Sequence, residues 1–140
     1  MDLIDTLNIS GSGLAAQRVR LQTVSSNLAN ARTTATEDGG PYLRQSPVFE
    51  ATAIDPFGDT LDQALATVNV NEIQHNSNAI RMEYDPNHPH AGPDGYVAYP
   101  DISILNEMVD LMTTSRSYEA NAGVIDTTKD MALLALEIGR

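Results

Sequence analysis

Two clusters in this chain hold residue types that do chemistry. The first is a loop with Asp85, His88, His90 and Asp94. Imidazoles at His-x-His spacing beside carboxylates are zinc-ligand types. No third His lies nearby, and Pro86, Pro89 and Pro93 favour a rigid structural turn. A calcium loop counted from Asp85 fails, with His90 at the sixth position and Tyr96 at the twelfth where Gly and Glu belong. The second cluster is GSGLAA from Gly11 to Ala16, which fits G-x-G-x-x-A, with Glu37 about twenty residues on. A dinucleotide fingerprint needs a strand before it and a βαβ unit around it. Here the following helix runs into TTATEDGGP with no apolar strand after it, so a glycine-softened helix start is the better account. No Ser/His/Asp set has a nucleophile elbow around it, and His75 reads as a solvated loop residue. The expectation is a protein that is not an enzyme and holds no cofactor and no metal. A small metal-dependent enzyme built on His88 and His90 is the remote alternative.

The elements that would position such residues are equally unpromising for a pocket. The chain has 140 residues, one domain's worth. Its formal charge is −11, which offers no electrostatic footprint for nucleic acid. Cysteine is absent, so disulfides and thiolate chemistry are excluded. No apolar run approaches the ~20 residues of a membrane span. The N-terminus, MDLIDTLNIS, has Asp where a cleavable signal would carry Lys or Arg.

Charge and proline divide the chain into an N-terminal helix over 1–36, a β-rich insertion over 37–100 and a C-terminal helix over 101–140. Their net charges are +1, −8 and −4. All seven prolines lie in the middle segment. Proline-free ends are what long helices require. Leu7, Leu14, Leu21 and Leu28 repeat every seven residues, a coiled-coil spacing. Gly11 and Gly13 weaken the start, so firm helix is expected from about Leu14 to Asn30. From Ile102 to Ile138 the seam is Ile104, Met108, Leu111, Tyr118, Ala122, Ile125, Ala132 and Leu136, widened by Leu105, Val109 and Met112. Asp101 or Ser103 is the expected cap and Gly139 the stop. If the two helices run antiparallel, Leu14, Leu21 and Leu28 are expected to pack near Ile125, Ala132 and Leu136. In the middle, 66–71 and 80–84 alternate with period two and read as a hairpin across QHNSN. Val48–Ile54 and Tyr96–Tyr99 are further candidate strands, and 56–65 fit no element. The fold class is α+β and elongated, because a helix of about 55 Å cannot fit inside a 140-residue globule of roughly 35–40 Å. Its wide apolar face implies partners.

SGLAAQRVRLQTVSSNLANARTT resembles the N-terminal signature of the bacterial flagellar rod, hook and hook-associated proteins, whose shared core is S-x-N-L-A-N. SRSYEANAGVIDTTKDMALLALEIG is similar to their C-terminal signature. GGPYLRQSPVFEA and YDPNHPHAGPDGYVAYPDISILNEMVDLM resemble the C-type proximal rod proteins of that family. A B-type rod subunit is the nearer alternative, and the intact SRSYEAN helix speaks against it. NEIQHNSNAIRMEYDP departs from the family pattern, with His and Asn where acidic residues and proline are usual. The resemblance implies a structural subunit of the flagellar basal body. Such a subunit is exported by the flagellar type III apparatus without a cleaved signal peptide. It polymerises in the periplasmic space with copies of itself and other rod proteins into the torque-transmitting proximal rod. It also implies that Ser26, Asn27, Leu28, Ala29 and Asn30, with Arg116, Ser117, Tyr118 and Asn121, carry the assembly motifs. Leu7, Leu14, Leu21, Ile104, Met108, Leu111, Ile125 and Leu136 complete the expected seam.

Overall fold

The computed structural model describes residues 3–37, 39–54, 65–76 and 79–139. In chain order these form α1 (Leu3–Ala29), β1 (Arg44–Ala53), β2 (Ala66–Asn76), β3 (Ile80–Tyr84), β4 (Tyr96–Pro100) and α2 (Ile104–Ile138). Two long helices flank a small β region, an α+β architecture as expected. At 35 residues α2 is about 52 Å long. Ser103 caps it, its hydroxyl accepting from the Asn106 N–H at 3.4 Å, and the Gly139 N–H closes it on the Ala135 carbonyl.

The helices run antiparallel. Asn27 meets Glu107, Arg20 lies 4.0 Å from Asp110, and Gly13 faces Asn121. This order corrects the expected register. Leu14 shares a groove with Tyr118 and Leu21 shares one with Leu111, not with Ile125 or Ala132. Leu28 lies beyond the Asn27–Glu107 contact, at the opposite end of α2 from Leu136.

Helix α1 is also longer than expected, running unbroken through Gly11 and Gly13. Packing against α2 offsets the glycine cost, which propensity alone leaves uncompensated. A Cβ at Gly13 would stand 3.0 Å from Asn121 Nδ2, whereas one at Gly11 would meet nothing within 4 Å. Gly11→Ala is therefore expected to raise the unfolding free energy by about 0.5–1 kcal/mol. Gly13→Ala should gain less than this, or lose, because Asn121 must give way. Urea titration of the two variants side by side checks the order.

The buried seam is small and polar. Helix α2 buries Glu107, Thr114 and Thr128, seven and fourteen residues apart, with Asn121 half-buried between them. Helix α1 buries Ser10, Ala16, Thr23, Val24 and Asn27. Threonine is tolerated there because its hydroxyl donates to its own helix. Thr114 reaches the Asp110 carbonyl at 2.6 Å, Thr128 that of Val124 at 2.7 Å, and Thr23 that of Val19 at 3.0 Å.

The strands pair differently from the expected hairpin of 66–71 with 80–84. Strand β2 pairs antiparallel with β1, from Arg44 opposite Asn76 to Ala53 opposite Ala66, with a bulge between Val48 and Phe49. Strand β3 pairs with β4, from Ile80 opposite Pro100 to Tyr84 opposite Tyr96. The proline-rich loop after Tyr84 turns β3 onto β4 instead. Gly95 completes that turn at φ +76°, where a Cβ would stand 2.8 Å from the Tyr84 ring. His75 consequently lies in β2 opposite Gln45, exposed on a strand and not in a loop. The unassigned 56–64 and the Ser77–Asn78 part of the expected loop lie outside the described residues. The first hairpin is tied to α1 through Ser12, whose hydroxyl donates to the Ile9 carbonyl and accepts from the Val68 N–H at 3.1 Å.

Candidate assembly surface

One buried polar junction joins α1, β1 and α2, and Asn27 is its centre. Its carboxamide can make four hydrogen bonds and makes all four. Nδ2 donates to the Gln45 carbonyl at 2.9 Å and to Glu107 Oε2 at 3.2 Å. Oδ1 accepts from the Gln45 N–H at 2.9 Å and from the Tyr42 hydroxyl at 3.0 Å. Glu107, 1% exposed, places its other oxygen 2.8 Å from Arg44 Nε, and Arg44 also donates to Ser46 at 2.9 Å. A buried carboxylate is tolerable only with such a cation and donors around it. The pairing of Asn27 with both backbone groups of Gln45 mimics a strand neighbour, which fixes where β1 begins against the helix.

The other motif residues surround this junction. The Ser26 hydroxyl lies 3.2 Å from that of Tyr42. Asn30 donates to the Ser26 carbonyl at 2.9 Å and accepts from the Thr33 hydroxyl at 3.1 Å, closing the end of α1. Leu28 is half-buried and Ala29 exposed. Leu14, Leu21, Leu111, Asn121 and Ile125 are half-buried along the helix pair, and Arg116 is exposed beside them. Leu7, Ile104, Met108, Tyr118 and Leu136 are exposed on the single chain. Sequence reading missed Tyr42, Arg44, Gln45 and Glu107. A signal was available for one of them, since Arg44 is one of only two bases in 37–100.

A second feature is apolar surface left uncovered. Leu105, Met108, Val109 and Met112 are exposed on the first half of α2, and Met131, Leu133, Leu134, Leu136 and Ile138 on its last turns. The pairing of Gly13 with Asn121 places the start of α1 near residue 131, so α2 overhangs α1 by about two turns. Both stretches are apolar surface that the single chain leaves uncovered.

The histidine loop is a turn. The His90 N–H donates to His88 Nδ1 at 3.1 Å, and His90 Nδ1 lies 2.9 Å from the Thr34 hydroxyl. The His88 ring meets those of His90 and Tyr99 edge-on. Among the described residues no group of three His, Cys, Asp or Glu side chains is placed to hold a metal ion. Among them too, no helix is long and apolar enough to cross a membrane.

Known proteins match along the same elements. The family model described as flagella basal body rod protein matches residues 7–35, and that described as flagellar basal body rod FlgEFG protein C-terminal matches residues 94–138. The flagellar basal-body rod protein FlgC of Aquifex aeolicus is 43% identical, covering 94% of this chain and 92% of its own. FlgC of Salmonella typhimurium is 38% identical over the full length of both chains. FlgC of Borreliella burgdorferi is 38% identical over 99% of this chain and 98% of its own. The chain belongs to the FlgC family of flagellar basal-body rod proteins. In this FlgC-family chain the first matched segment contributes Asn27 to the junction and the second contributes Glu107. Arg44 and Gln45 come from between them, so the junction locks the two ends of the chain to its middle.

Proposed function

We propose that this chain is a structural subunit of the flagellar basal-body rod, built into the proximal rod by contacts with copies of itself and with other rod proteins. The observation that carries the reading is the exposed apolar surface of α2 on a chain whose relatives are rod proteins over their full length. A helix pair with a small polar seam leaves most of its apolar area for neighbours. Packing that area between subunits supplies the cohesion that the single chain lacks. The rod it forms lies in the basal body, where it transmits torque. The subunit reaches the periplasmic space through the flagellar type III apparatus, without a cleaved signal, and has no enzymatic activity.

Isolated basal bodies test this. A strain without the gene should be non-motile and yield basal bodies without a rod, and restoring the gene should restore both. His88→Ala and His90→Ala should swim like the parent, because neither imidazole reaches the helix pair. Wild-type rods in the deletion strain would overturn the structural reading. Loss of swimming at normal protein levels in either histidine variant would instead place the function in the loop.

A further inference from the structure

A groove along the helix pair holds two cations that face each other. Leu21, Leu111 and Met112 line it, and Leu14 and Tyr118 extend it toward the start of α1. Each rim carries one exposed arginine, Arg18 on α1 and Arg116 on α2. Arg18 follows Leu14 by four residues and precedes Leu21 by three, so it shares their face of α1. Asn27 meets Glu107 and Gly13 faces Asn121, a register that sets Arg18 opposite Arg116. Glu119 is the one acid lining the groove, and among the described residues neither arginine is in an ion pair. Two unpaired guanidinium groups facing each other over an apolar floor repel until a carboxylate comes between them.

The overhanging turns of α2 carry such a carboxylate. Residues 131–138 read MALLALEI, and Glu137 is the only charged residue among them. It is exposed and, among the described residues, in no ion pair. Leu134 stands three residues before Glu137, four before Ile138 and three after Met131, so all three neighbour it on one helix face. Leu134 is 58% exposed and Ile138 86%. Lys129 lies about 140° round the helix from Leu134, off that face. An apolar helix end with one carboxylate thus matches an apolar groove with two facing cations, and both belong to the same chain. We propose that the last turns of α2 of one copy seat in the α1–α2 groove of the next copy. The two α2 helices run parallel, with Glu137 between Arg18 and Arg116. Glu137 holds both guanidinium groups, and Leu134 rests beside Leu21 on the apolar floor, away from any free cation. Bringing residue 137 level with residue 116 staggers the two copies by about 30 Å. The contact rests on the rod-subunit reading and specifies how neighbouring copies join. It uses a different surface on each copy, so it propagates instead of closing into a dimer.

The chain has no cysteine, so two introduced cysteines report the contact directly. Cells carry Leu21→Cys and Leu134→Cys together as their sole copy, and isolated basal bodies are oxidised and run without reductant. Within one chain these positions lie about 30 Å apart along the helix pair, so a link must join two copies. A second pair, Tyr118→Cys with Ile138→Cys, repeats the test should the first fail to assemble. The expected result is a ladder of linked copies from either double variant and no link from any single variant. Adding Glu137→Arg should remove the ladder and the rods, and adding Arg18→Glu with Arg116→Glu to that chain should bring both back. Incorporated chain that stays monomeric, or links only to a different rod protein, overturns the contact. So does a ladder that Glu137→Arg leaves intact. Where neither cysteine pair assembles, the same charge exchange in the cysteine-free chain decides. Glu137→Arg cells that swim, or rods that the exchange does not restore, overturn the contact. Absence of the parent chain from basal bodies sinks the rod-subunit reading instead.

Discussion

Asn27→Ala is expected to lower the unfolding free energy by about 2–4 kcal/mol. The methyl group leaves the Gln45 N–H and carbonyl without their side-chain partner and takes a donor from Glu107. Each buried polar group stranded in this way costs about 1–3 kcal/mol. The groove beside Asn27 that Arg20, Ser46 and Phe49 help to line lets water repay part of it, which sets the total below the sum. Asn27→Asp keeps the shape and should be worse near neutral pH. Its second oxygen would face the Gln45 carbonyl and the Glu107 carboxylate, acceptor against acceptor and charge against like charge. Two facing carboxylates share a proton more readily than they both ionise. In that variant the new carboxyl is protonated at higher pH in the folded state than in the unfolded one. Its deficit should therefore narrow as pH falls toward the carboxylate range. Urea unfolding across pH, with exchange of the Gln45 amide as a local probe, measures both. An Asn27→Ala chain within 0.5 kcal/mol of the parent, roughly the spread of ordinary surface substitutions, would show that the junction does not hold β1 to the helices.

The junction explains which parts of the fold were legible in the sequence. Proline-free ends with seven-residue repeats announced two long helices, and period-two runs announced strands. Hydrophobic periodicity finds an amphipathic face but does not say whether that face meets its own chain or another. On α2 much of it stays uncovered by its own chain, and the side turned to α1 holds Glu107, Thr114 and Thr128. Each threonine hides its polarity by bonding to the carbonyl four residues back, a local solution invisible to a hydropathy pattern. Strand partners were misjudged for a related reason. Alternation identifies β2 and β3 but not the hydrogen-bonding edge each uses, and the edge of β2 belongs to β1. The S-x-N-L-A-N motif was legible as a motif. Its partners, separated from Asn27 by 18 residues at Gln45 and 80 at Glu107, were not.

Leu134→Asp is expected to leave the isolated chain as stable as its parent and to abolish the rod. Leu134 is 58% exposed and lies where α2 has run past the start of α1. A substitution on such a surface moves folding stability by no more than about 0.5 kcal/mol. The same carboxylate packed between subunits would be stripped of water without a cation nearby, at a cost of several kcal/mol per contact. A polymer repeats that cost at every copy, so even a modest loss per contact prevents growth. Cells carrying Leu134→Asp as their sole copy should secrete the subunit at parental levels, lack rods and fail to swim. Leu134→Met, which keeps the apolar surface, should retain both rods and swimming. The contrast with Asn27→Ala separates two uses of one helix pair: that variant weakens the fold itself, whereas this one leaves the fold and loses the rod. Swimming Leu134→Asp cells would mean that the overhanging turns of α2 face solvent in the rod, leaving the first half of the helix, from Leu105 to Met112, to supply the cohesion.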